Sequence, residues 1–221
     1  MIGTFRWLGR LGVFGLALGL AAPGYAGALN VTITKSDGSP LSSAVVSLFP
    51  VGQPSMRAKP GTKAVMIQEN KQFAPFVLPV QLGTTVEFPN KDPFRHQVYS
   101  FSPAKSFELK LYAAPEVGTQ LFDKEGAVSL GCNIHDNMLA YVYVVGTPYF
   151  AATDEKGQVR LPQIPAGNYI MKTWHPNGKA GANDGQQISV PAEGTLDMTA
   201  HVELKRERRQ RKPGAVDERD Y

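Results

Sequence analysis

From Leu29 onward, apolar and β-branched residues alternate with polar ones over short runs broken by Gly, Pro, Asn and Asp, the pattern of strands joined by turns. Positions 30–34 and 44–49 predict two strands around a turn at Ser36-Asp37-Gly38, and 52–61, with Pro54 and Pro60 among polar residues, reads as a linker. A second block predicts strands at 64–67, 76–80, 82–88, 96–101, 107–111, 126–130 and 141–145, with Gly83 turning the chain and Val86 and Phe88 facing inward. These are about seven strands, enough for a small sandwich. The pattern resumes at 150–153, 158–161, 168–174, 187–190 and 196–204.

Two strands at the start cannot form a domain, but together with the later ones they make about seven. The chain is therefore read as all-β. One discontinuous sandwich, 29–50 plus 148–204, carries a second sandwich, 63–147, inserted into or joined to it. The simpler alternative is one large sandwich that uses every strand.

Composition agrees with a turn-rich β protein. Apolar residues make up 43% and charged residues 19% of 221, with 22 Gly and 17 Pro, which argues against a helical bundle, a coiled coil or wholesale disorder. Arg6 and Arg10 precede the apolar run 11–22, and Gly24-Tyr25-Ala26 supplies small residues at the positions a signal peptidase reads. The run holds about a dozen residues, short of the roughly 20 that span a bilayer, so 1–26 is expected to be an export signal cleaved near Ala26. An uncleaved anchor is the alternative.

The net charge of +4 misdescribes the body of the chain. Taking Arg6, Arg10, and the seven basic and four acidic residues from Lys205 onward out of totals of 23 and 19 leaves 14 basic against 15 acidic residues. The segment 205–221 then reads as a charged, disordered tail, able at most to make weak contact with an acidic partner or a membrane surface. An exported chain with a near-neutral body gives no reason to expect a nucleic-acid partner. No nucleophile triad, phosphate-cradling loop or paired-carboxylate site stands out, so the expectation is a protein that is not an enzyme.

The chain has one Cys, which excludes an internal disulfide and leaves Cys132 buried, reactive or metal-bound. It opens the strand-bounded loop Gly131-Cys132-Asn133-Ile134-His135-Asp136-Asn137-Met138. A thiolate, an imidazole and a thioether form a soft donor set that suits copper in both its redox states. A third strong donor is available at His96, which opens a strand after the turn-rich 89–95. Two His and a thiolate in a plane with a long axial Met is the arrangement of a blue-copper electron-transfer site. Taken singly, Met138 also reads as core filling, and a lone Cys132 reads more often as an inert buried thiol. His175, at a strand end beside Trp174, is read as a half-buried edge residue rather than a ligand, and His201 lies outside the block.

At these residues the sequence resembles the cupredoxins, the plastocyanin-like proteins. The upstream half is Phe73-Ala74-Pro75, Leu82-Gly83-Thr84-Thr85-Val86-Glu87-Phe88-Pro89-Asn90-Lys91-Asp92 and His96-Gln97-Val98; the downstream half is Cys132, His135 and Met138, with the short amicyanin-type spacing. The outer block resembles the transthyretin-like or carboxypeptidase-regulatory-like sandwich through Ser36-Asp37-Gly38-Ser39-Pro40-Leu41, Ala44-Val45-Val46, Thr153-Asp154-Glu155-Lys156-Gly157 and 161–169, which implies a scaffold. The two-part chain looks like proteins labelled methylamine utilization protein. The resemblance implies a Greek-key sandwich with one type 1 copper, ligands His96, Cys132, His135 and Met138, a periplasmic location, and a redox protein as electron donor or acceptor, such as a dehydrogenase. The loop departs from the amicyanin pattern: it lacks prolines, it carries Asp136 beside His135, and it has Gly131 where some plastocyanins carry a Tyr.

Two other functions fit the same residues. One is a module that stores or delivers copper without electron turnover; the other is a metal-free interaction protein.

Overall fold

A computed structural model describes residues 26–135, 137–179 and 185–205. Residues 1–25, where an export signal is expected, Asp136, 180–184 and 206–221 lie outside the described residues, so the expectations that fall on them have no structural counterpart here. Among the described residues every element is a strand, and the fold is all-β. In order these are β1 (Ala26–Lys35), β2 (Val45–Pro50), β3 (Lys63–Val65), β4 (Ile67–Glu69), β5 (Gln72–Ala74), β6 (Val77–Gln81), β7 (Thr84–Pro89), β8 (His96–Ser102) and β9 (Lys105–Tyr112). They continue with β10 (Val117–Phe122), β11 (Gly126–Gly131), β12 (Leu139–Val145), β13 (Phe150–Ala152), β14 (Gln158–Pro165), β15 (Gly167–Trp174), β16 (Gln186–Val190) and β17 (Thr195–Val202).

The first two strands and the last five share sheets ordered β14-β1-β17 and β13-β2-β15-β16. Their inward residues, among them Leu29, Val31, Ile33, Leu48, Leu161, Ile164 and Met171, form one buried cluster. The remaining strands form a five-stranded sheet β6-β12-β11-β8-β9, a three-stranded sheet β10-β7-β3 and the small hairpin β4-β5. A second cluster contains Val86, Phe88 and Phe122 from one sheet with Val98, Val128, Leu130, Ala140, Val142 and Val144 from the other. Period-2 alternation accounts for this: in β7 the side chains of Thr84, Val86 and Phe88 are buried while those of Thr85 and Glu87 are not.

The sequence pattern overlooks β5 and β10 and merges β3 with β4. β10 alternates only weakly, exposes Val117 and Leu121, and carries Gly118 in its interior. Met66 separates β3 from β4 and is fully buried, so the chain crosses the core there and changes sheet.

Where the two sets of sheets meet, Trp174 of β15 stacks on Tyr143 of β12 at 4.3 Å between ring centroids and 5° between planes, and meets Tyr141 edge-on at 6.0 Å. His175, next in sequence, is buried rather than half-exposed and accepts a hydrogen bond on Nδ1 from the Asn177 N–H at 3.2 Å.

Candidate metal centre

The five-stranded sheet brings distant residues to one end. His96 is the first residue of β8, Cys132 follows β11 directly, and Met138 immediately precedes β12. β11 runs antiparallel to both neighbours, with Gly131 opposite Tyr99 on one side and Leu139 on the other. The start of β8, the end of β11 and the start of β12 therefore lie at the same edge. The intervening loop is closed by backbone bonds from the His135 N–H to the Cys132 carbonyl at 3.4 Å and from the Met138 N–H to the His135 carbonyl at 3.0 Å.

Among the described residues, His96, Cys132 and His135 form the group of ligand types able to hold a metal ion, with one donor atom from each lying within 4.8 Å of the others. Cys132 Sγ is 4.0 Å from His96 Nδ1. An ion with bonds of about 2.3 Å to sulfur and about 2.0 Å to nitrogen, at a trigonal angle, separates those atoms by roughly 3.7 Å, so the pair is spaced for a shared ion. Among the described residues His135 Nδ1 is buried with no hydrogen-bond partner, a state that costs about 1–3 kcal/mol unless something occupies it. The donors are two imidazoles and a soft sulfur, and this set fits copper. Met138 is 2% exposed and belongs to the same buried cluster as Cys132. His175 and His201 stand apart from this group; His201 Nδ1 instead meets the Thr34 hydroxyl at 2.5 Å.

His96 is fully buried, and the Phe94 ring lies 5.1 Å from its ring and 5.6 Å from that of His135. Phe94, Ile134 and Leu139, each within two residues of a candidate ligand in sequence, are exposed apolar side chains.

Asp92, in sequence one polar residue of the turn-rich 89–95, takes a specific place in the structure. It is 8% exposed, and its Oδ2 meets His96 Nε2 at 2.7 Å. Its two oxygens also accept the backbone N–H groups of Asn70 at 2.7 Å and Lys71 at 2.9 Å. Burial pushes the carboxyl up, but the Lys71 N–H, the His96 ring and the Asn70 N–H outweigh it and hold the group below the usual carboxylate range. Asn90 completes the loop: its Oδ1 accepts the Asp92 N–H at 2.9 Å, and its Nδ2 donates to the carbonyls of Phe94 at 2.8 Å and Tyr112 at 3.2 Å. Beneath it, the Tyr112 hydroxyl donates to the Phe88 carbonyl and accepts from Gln68 Nε2, each at 2.6 Å, and burial pushes its phenol up to about 12.

No protein-family profile and no curated protein matches the chain. Among solved structures, a copper-containing nitrite reductase from Thermus scotoductus SA-01 is similar at 26% identity over 44% of this chain and 25% of that one, with a TM-score of 0.37. This chain thus spans only a quarter of that protein. A purple cupredoxin from Nitrosopumilus maritimus is similar at 22% identity, over 37% of this chain and 98% of its own, with a TM-score of 0.33. Amicyanin from Paracoccus versutus is similar at 16% identity, over 44% and 96%, with a TM-score of 0.35.

Proposed function

We propose that this chain is an exported type 1 copper protein that carries single electrons, with His96, Cys132 and His135 as the residues that would hold the copper strongly and Met138 as a weaker fourth ligand. The observation that carries this reading is the convergence of two imidazole nitrogens and the thiol sulfur within 4.8 Å at one end of the sheet. Bound copper supplies a one-electron couple between its two oxidation states.

The residues of the chain do the rest. Cys132 gives up its proton to bind as a thiolate, and His96 offers Nδ1 because its Nε2 is engaged by Asp92. The strands fix three of the four donors at their ends, so the set moves little when the charge changes. Phe94 packs against the two rings, and the exposed apolar side chains of Phe94, Ile134 and Leu139 are where a redox protein would exchange the electron. No bond forms or breaks: the donor protein loses one electron and the acceptor gains one. In this reading 63–147 is the copper-carrying unit, 29–50 plus 148–204 is its scaffold, and the site of action is the periplasm.

The test is copper titration of the mature protein followed by voltammetry. The account expects one equivalent bound and a reversible one-electron wave, both lost in Cys132→Ser. Less than about half an equivalent, or tight Cu(I) binding without reversible cycling, overturns the carrier reading.

A further inference from the structure

The hairpin β4-β5 contributes little to either sheet, yet its turn is built with care. Glu69 pairs with Gln72, leaving Asn70 and Lys71 as a two-residue loop with φ of 56° at both positions. This is the left-handed geometry of a type I′ turn, costly for a lysine. It aims two successive backbone N–H groups at one carboxylate, a turn-made anion cradle. The carboxylate is that of Asp92, buried, with His96 Nε2 as its remaining partner. A buried charge survives only when its lone pairs are satisfied, and here three donors converge on it.

We propose that Asp92 is a positioning residue for the metal centre. Its carboxylate holds the proton of His96 on Nε2, keeps Nδ1 free to face Cys132, and by its charge favours the higher oxidation state of copper at that nitrogen. The chain of cause runs from the Asn70-Lys71 turn through Asp92 and the His96 ring to the metal. Asp92 is acceptor-only, so the proton of the 2.7 Å contact belongs to the imidazole and the tautomer is fixed before any metal arrives. This inference rests on the copper reading above for its redox half alone.

Two measurements test it. The first is the reduction potential of the copper-loaded full chain by mediated redox titration, for wild type, Asp92→Asn and Asp92→Ala. Asn keeps an acceptor for His96 but removes the charge; Ala removes both. Loss of such an outer partner weakens metal binding by roughly 10- to 100-fold, and a tenfold loss for Cu(II) relative to Cu(I) raises a one-electron potential by about 59 mV. Both variants are expected to rise by at least that tenfold equivalent, and Ala is expected also to broaden the visible band as His96 becomes free to turn. Blue variants with the wild-type potential overturn the proposal.

The second needs neither a variant nor copper. Nitrogen-15 NMR of the metal-free wild type is expected to show His96 protonated on Nε2, with that proton slow to exchange, and bare on Nδ1. The opposite tautomer, or a rapidly exchanging proton, overturns the proposal even if both variants fail to fold. A wild type that binds no copper but shows this tautomer sinks the carrier reading and leaves the positioning role of Asp92 intact.

Discussion

Gly131 precedes Cys132 and faces Tyr99 across the β8–β11 pair, and the space above it is filled by the neighbouring strand. A Cβ placed on Gly131 would lie 2.7 Å from both Cζ and Oη of Tyr99 and 3.0 Å from Cε1. Such contacts do not occur, so in Gly131→Ala either the ring swings away or β11 slides against β8. Tyr99 is half-buried and its ring neighbour, Phe101, is 79% exposed, so the ring has room to move outward. The cost is therefore put in the lower part of the overpacking range, about 1–2 kcal/mol. Tyr99→Ala alone loses the burial of a half-covered ring, again about 1–2 kcal/mol. With Tyr99 truncated, the three closest contacts of the added methyl are gone, and Gly131→Ala is expected to be near neutral, or stabilising by up to about 0.5 kcal/mol through reduced chain entropy. The two substitutions should therefore couple by roughly 1–2 kcal/mol. The assay is urea unfolding of the reduced, metal-free protein for the four members of the cycle, read as midpoints at an unchanged slope. Equal costs for Gly131→Ala in both backgrounds would refute the packing argument.

Other outcomes follow from the same contacts. Trp174→Ala removes one stacked and one edge-on aromatic pair with β12, worth about 0.5–1.5 kcal/mol each, so unfolding stability should fall by roughly 1–3 kcal/mol; a thermal midpoint within experimental scatter of wild type contradicts this. Burial, with Lys35 adding to it, holds the His175 imidazole below its ordinary value of 6.5, so the unfolded chain takes up a proton there before the folded one does. Stability should therefore fall as pH drops below about 6.5 and level off below the folded value, and His175→Gln should lose less stability than wild type between pH 7.5 and 5.5. Parallel slopes for the two proteins would show that His175 contributes nothing to the acid limb.

The class of fold and the metal-ligand candidates are legible because both are local signals. Strand β7 declares its inward face through Val86 and Phe88, and the loop from Cys132 to Met138 presents its donors within seven residues. What the chain order hides is what depends on contact across strands. Asp92 looks like one more polar residue in a turn until the Asn70-Lys71 loop, some twenty positions earlier, is placed over it. Gly131 reads as a missing aromatic side chain, whereas the ring of Tyr99 covers that position from β8. β10 hides because an edge strand that exposes Val117 and Leu121 has little alternation to betray it. His175 reads as a half-buried edge residue from its neighbours in sequence, and in the structure it is buried.

The most direct test of the account is the visible absorption spectrum of the mature protein with one equivalent of Cu(II). The account predicts an intense thiolate-to-copper charge-transfer band that saturates at one equivalent, bleaches on reduction and is absent in Cys132→Ser. Copper bound with no such band, or a band that survives the loss of Cys132, would contradict it.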